Sequence, residues 1–113
     1  MLKLVLMLKN TEIKTIETDK ETITIGRNNN SDIHINNLGV SKEHATITRQ
    51  NGNYVIEDLS STNGTLLNNE PITKAQLSGK DVITIGKHSL FVTAHKGQIA
   101  TQGMTEATIK ISP

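Results

Sequence analysis

The chain has 113 residues, with 12 Lys and Arg against 11 Asp and Glu and a formal net charge of +1. That length builds one domain, and so even a charge balance argues against duplex nucleic acid or an anionic membrane as a general partner. Having no cysteine, the sequence has no disulfide, thiolate metal site or cysteine nucleophile, which fits a reducing, cytoplasmic setting.

Hydrophobic residues make up 35% and aromatics 2%, so the core has to come from Ile, Leu and Val, which favour strands. The longest apolar run, Leu4 to Leu8, sits between Lys3 and Lys9. It falls far short of the roughly 20 residues of a spanning helix, and no cleavage pattern follows it. Period-2 alternation recurs at Thr22-Ile23-Thr24-Ile25, Ile33-His34-Ile35, Ala45-Thr46-Ile47-Thr48 and Val82-Ile83-Thr84-Ile85, while no window shows helical spacing. Strands are predicted over residues 2–9, 12–17, 21–25, 33–36, 44–50, 54–58, 65–67, 82–85 and 89–95, with a minor one around 71–73. Asn and Gly punctuate these runs, as a sandwich or barrel requires. Lys3, Lys9, Lys14, Lys96 and Pro71 are the kinds of residue that protect sheet edges. From residue 97 to 113 the texture becomes that of a tail or linker, so the domain is expected over 1–96.

Three donor-rich loops interrupt the strands. They are Gly26-Arg27 through Asp32, the stretch containing Ser41-Lys42-Glu43-His44, and Ser60-Ser61-Thr62-Asn63-Gly64. Asn51-Gly52 is a strong hairpin signal, so the segments before His44 and after Asp58 meet at one end. In a plain meander the first loop would lie at the far end of strand 33–36, roughly 13 Å away at ~3.3 Å per residue.

Ile25-Gly26-Arg27, Ser31-Asp32-Ile33, Ser41-Lys42-Glu43-His44 and Asp58 through Thr65 together resemble the forkhead-associated (FHA) domain, with its Gly-Arg, Ser-x-x-His and Asn-Gly signatures. Leu77 to Gly86 resembles the family's closing strands, so the likeness covers about residues 1–96. The resemblance implies an all-β sandwich of two twisted, mainly antiparallel sheets with about eleven strands. It also implies binding of phosphothreonine peptides by loops gathered at one apex, with no cofactor and no catalysis.

The residue chemistry agrees with that expectation. A phosphate ester carries about −1.5 to −2 charge and three acceptor oxygens, so a small site needs a cation and directed neutral donors. Arg27, one of two arginines, is the candidate phosphate clamp, because a guanidinium forks onto two oxygens. Ser41 supplies a hydroxyl, Lys42 adds attraction, and the Lys42 or Thr62 backbone amides fill remaining acceptor positions. Thr62 also resembles the family's hydroxyl that helps with the phosphate and the threonine methyl. Asn63 resembles the residue that reads the peptide backbone, and His44 the structural histidine that ties the loops. Gly64 supplies a positive φ, Gly26 lets the first loop leave its strand, and Asn28 and Asn30 are candidates for contacts flanking the phosphothreonine.

Taken singly, each motif has a bland reading: a turn, a surface charge or a tight hairpin. Their order and spacing within one small all-β chain favour the joint reading. His34, His44, His88 and His95 form no pair at metal-ligand spacing, and no nucleophile has a positioned base. Asp58 is expected to hydrogen-bond the loop that follows it. One alternative is an assembly module of the same fold acting without phosphorylation; another is recognition of the chain's own tail phosphorylated at Thr101, Thr105 or Thr108. A downstream domain of the same polypeptide is a further expected partner.

Overall fold

Alternate residues along the strands are buried, and the two sheets form by closing over them. Leu2, Leu4 and Leu6 are buried between the outward Lys3, Val5 and Met7, and Ile23 and Ile25, Ala45 and Ile47, Tyr54 and Ile56, Ile83 and Ile85 repeat the pattern. A computed structural model describes residues 2–94, which form eleven strands. These are β1 (Leu2–Leu8), β2 (Thr11–Thr18), β3 (Thr22–Gly26), β4 (Ile33–His34), β5 (Ala45–Gln50) and β6 (Asn53–Asp58), then β7 (Thr65–Leu67), β8 (Glu70–Ile72), β9 (Lys74–Gln76), β10 (Val82–Ile85) and β11 (His88–Ala94). One sheet has the order β2-β1-β11-β10-β7-β8 and the other β4-β3-β5-β6-β9. Residues 95–113, which include the expected tail, its three threonines, His95 and Lys96, lie outside the described residues.

The turns follow the sequence. Asn51 and Gly52 both take positive φ, at 54° and 83°, as the two-residue hairpin between β5 and β6 demands. Asn68 and Asn69 do the same between β7 and β8. Strand β9 was not expected from the sequence, because Lys74-Ala75-Gln76 is too short and too polar to show a period. Its pairing with β6, Ile56 opposite Ala75, is what makes it a strand. Edge protection falls on Lys14 in β2 and Pro71 in β8. Lys3 is a correction, since β1 is an interior strand and Lys3 instead pairs with Glu17 across it at 3.4 Å.

The five-stranded sheet is not a plain meander, and the departure positions the site. β4 is two residues long and runs parallel to β3, with Ile25 opposite Ile33 and Gly26 opposite His34. A parallel neighbour leaves its sheet at the same end as the strand beside it. The loop entering β4 and the loop leaving it therefore share one apex, where β5 starts and β6 ends, with Ala45 opposite Asp58. The offset of about 13 Å that a plain meander would give at ~3.3 Å per residue is absent, and the loops gather at one end as the family resemblance implies.

Ile47 lies on the central strand β5 at 0% exposure. Ile47→Ala is expected to cost about 2–5 kcal/mol through lost burial and the cavity left behind. Urea denaturation should show the midpoint falling while the m-value stays constant.

Candidate functional site

Backbone hydrogen bonds hold the first two apical loops together. Arg27 N–H donates to the Ser41 carbonyl at 3.0 Å, Asn28 N–H to the Lys42 carbonyl at 3.3 Å, and Ile35 N–H to the Gly26 carbonyl at 2.9 Å. Gly26 is needed for this approach: a Cβ there would sit 2.1 Å from the Lys42 carbonyl oxygen. Close backbone packing is thus a reason for glycine at position 26 beyond the sharp departure of the loop expected from the sequence. Asp32 fastens the far side of the first loop, accepting from Thr24 N–H at 2.9 Å and Thr24 Oγ1 at 3.1 Å and pairing with Lys20 Nζ. The Lys20 contact, followed by the Thr24 amide, holds the Asp32 carboxyl below its ordinary value.

The third loop is organised by Asp58. Its Oδ1 accepts from Ser61 Oγ and from Thr65 Oγ1, and its Oδ2 from Ser61 N–H at 3.1 Å. Ser61 Oγ in turn accepts Gly64 N–H at 2.9 Å. Gly64 has φ +84°, the left-handed conformation expected of it, and Ser60 shares that region at 57°.

His44 joins the second loop to the third from a fully buried position. Nδ1 accepts Ser41 N–H at 3.1 Å, so the ring hydrogen is on Nε2, which donates to the Gly64 carbonyl at 2.9 Å. A second histidine, His34, reaches the Arg27 carbonyl with Nε2 at 3.1 Å, a contact with no signature in the local sequence.

With the loops so placed, Arg27, Ser41, Thr62 and Asn63 share the apex. Arg27 Nε donates to the Val40 carbonyl at 3.0 Å, which aims the guanidinium while leaving Nη1 and Nη2 without partners among the described residues. Ser41 Oγ accepts Thr62 N–H at 3.0 Å and keeps its own hydrogen to donate. The Thr62 amide is therefore spent within the protein, correcting its expected role as a free donor. Lys42 N–H and Nζ and Thr62 Oγ1 are without partners among the described residues. Asn63 Nδ2 donates to the Gly39 carbonyl at 2.9 Å, leaving Oδ1 open. Asn28 and Asn30 line a groove beside this cluster. Sequence reasoning missed Asn37 and Gly39, whose Oδ1 and N–H close a turn at 2.8 Å under Asn63, and Gly86, whose Cβ would lie 3.4 Å from the Gly39 carbonyl.

Among the described residues no three His, Asp, Glu or Cys gather as a metal site, and no helix is long and apolar enough to cross a membrane. The fold is a β-sandwich whose tip gathers one aimed guanidinium with free hydroxyl and amide donors, the kinds of group that can hydrogen-bond an anion. The FHA domain model matches residues 23–86, and the chain belongs to that family. It is 42% identical over 72 residues, 64% of this chain and 50% of the relative, to an oxoglutarate dehydrogenase inhibitor of Corynebacterium diphtheriae. It is also similar to Mycobacterium tuberculosis EmbR solved with a low-affinity phosphopeptide, with TM-score 0.75, 28% identity and 88% of this chain and 26% of that one covered. A third likeness is to an FHA domain from a structural and functional analysis of phosphothreonine-dependent FHA interactions, with TM-score 0.73, 31% identity and coverage of 82% and 97%. The chain spans about half the length of the curated relatives it matches.

Asp58 yields a pH prediction. Burial alone would raise its carboxyl, but the hydrogen bonds from Ser61 and Thr65 outweigh that and hold it below its ordinary value. A carboxyl lowered in the folded state adds stability above its unfolded value, about 3.9, and loses it as pH falls through the folded value. Denaturation midpoints should drop over that acidic window, and Asp58→Asn should flatten part of the drop while lowering stability at neutral pH.

Proposed function

We propose that this chain is a non-catalytic recruitment module that binds phosphothreonine on a partner protein through its apex. One observation carries the reading: the groups left unspent at the apex are Arg27 Nη1 and Nη2, the Ser41 hydroxyl hydrogen, Lys42 N–H and Nζ, and Thr62 Oγ1. Each of these can donate and the cluster includes two cations, while the open acceptors, Asn63 Oδ1 and the Glu43 carboxylate, lie beside it. A dianionic ester with three acceptor oxygens matches that set. Arg27 takes two oxygens in a fork, Ser41 and Lys42 the third, and Thr62 packs at the ester. Asn63 offers its open Oδ1 to a ligand backbone N–H, and Asn28 and Asn30 meet flanking residues. Gly26, His44 and Gly64 act behind this surface by fixing the loops. Membership in the FHA family and the phosphopeptide held by the EmbR structure support the assignment. The domain is taken to end near residue 96, with the following segment a tail or linker, and its setting is taken as the cytoplasm.

Arg27→Ala removes charged hydrogen bonds that contribute about 1.5–3 kcal/mol each. Titration calorimetry with a phosphothreonine peptide should therefore show roughly tenfold to over a hundredfold weaker binding, with circular dichroism unchanged. Equal affinity would remove Arg27 from the clamp. Phosphothreonine should bind several-fold tighter than phosphoserine, since one buried methyl contributes about 0.8 kcal/mol. The same titration with the serine peptide checks this, and equal affinity would remove the methyl contact.

A further inference from the structure

Two grooves flank the apex, and each is walled by a single charged side chain that the protein does not use. The first opens toward the outer face of the five-stranded sheet, over Thr24 and Thr46, between Asn28, Asn30 and Leu59, and its charged wall is Glu43. The second opens toward the six-stranded sheet between Leu38, Gly86 and Asn63, and its charged wall is Lys87. Neither Glu43 nor Lys87 has an ion pair or side-chain hydrogen bond among the described residues. Of the nearby carboxylates, Asp32 is committed to Lys20 and Thr24 and Asp58 to Ser61 and Thr65, while Glu57 sits on the strand opposite Thr46, beside Lys74 on β9, and does not line the groove. Glu43 and Lys87 are thus free to meet a ligand, and they carry opposite signs on opposite sides of Arg27 and Ser41.

The second groove has a fixed floor. Gly86 takes φ +62°, and a Cβ there would lie 3.5 Å from Val40 Cγ2, so the turn that presents Lys87 packs directly against the loop that aims Arg27. Asn63 borders the same groove, so a chain held there passes beside Lys87. Leu38, 90% exposed at its rim, gives that flank an apolar wall.

We infer that the apex is electrically polarised along its ligand: it selects a phosphothreonine segment with a basic residue on the flank entering the Glu43 groove and an acidic residue on the flank entering the Lys87 groove. This rests on the phosphothreonine reading and names the substrate class within it. The direction of the segment is set by the phosphate clamp and by Asn63, which borders the Lys87 groove, so exchanging the flanking charges places like charges together in both grooves.

Two phosphothreonine peptides of identical composition test it, one with lysines before and aspartates after the phosphothreonine, the other with the two swapped. Their net charge is the same, so long-range attraction cancels and only the placement of charge differs. Exposed ion pairs are individually weak, so the expected preference for one peptide is about tenfold at low ionic strength, shrinking with added salt. In the double variant Glu43→Lys with Lys87→Glu, the preferred peptide should become the disfavoured one. Equal affinity of the two peptides, or a preference that survives the double variant, would overturn the inference. A third peptide with alanine flanks separates the two levels. If wild-type protein binds it while showing no preference between the charged pair, the polarity fails and the phosphothreonine reading stands. If no phosphorylated peptide binds, both fail.

Discussion

The parallel pairing of β4 with β3 is the constraint on which the apex depends. Most strand neighbours in this molecule are antiparallel, which sends successive loops to alternate ends. One two-residue parallel step breaks that alternation and puts the loop before β4 and the loop after it at the same end. Without it Arg27 and Ser41 would be separated by the length of a strand. With it, Arg27 N–H reaches the Ser41 carbonyl at 3.0 Å. So short a strand has little pairing energy of its own. It is held by the burial of Ile33 and Ile35 in the core and by the Asp32 contacts to Thr24 and Lys20.

The apex is then a division of labour between spent and unspent groups. Several acceptors are consumed internally: Asp58 by the third loop, the Val40 carbonyl by Arg27, the Gly64 carbonyl by His44. What remains around Arg27 and Ser41 is a set of donors, with Asn63 Oδ1 the open acceptor beside them. A buried imidazole suits the linking position because one ring nitrogen accepts and the other donates, so a single side chain satisfies Ser41 N–H and the Gly64 carbonyl. A site arranged in this way is organised before any ligand arrives, which limits the ordering cost of binding.

Much of this was legible in the sequence. The strands with two or more alternating Ile, Leu or Val residues were placed within a residue or two, because burial on one face imposes the period. Asn51-Gly52 announced its hairpin through the φ values it permits. Strand β9 was invisible, since pairing with β6 and not its own composition makes it. The parallel step was invisible for a related reason: Ile33-His34-Ile35 carries the same alternation whichever way the strand runs. Resemblance to a family supplied the convergence that periodicity did not. At the site, Arg27, Ser41 and Asn63 stood out by type and spacing. The spending of the Thr62 amide on Ser41 Oγ, and the support from His34, Asn37 and Gly39, are tertiary contacts with no local pattern to reveal them. Gly26 was singled out for the departure of its loop and not for the close approach by residue 42, which leaves no mark in the residues around 26.

A second surface lies away from the apex. The outer face of the six-stranded sheet carries Val5 and Val82 on either side of Phe91, which is 39% exposed. Amide chemical-shift mapping of the isotope-labelled protein distinguishes that face from the apex in one experiment. On titration with a phosphothreonine peptide, the account predicts perturbations concentrated at residues 26–28, 41–42 and 62–64, and none with the same peptide unphosphorylated. Perturbations centred on Phe91, or identical maps for the two peptides, would contradict it.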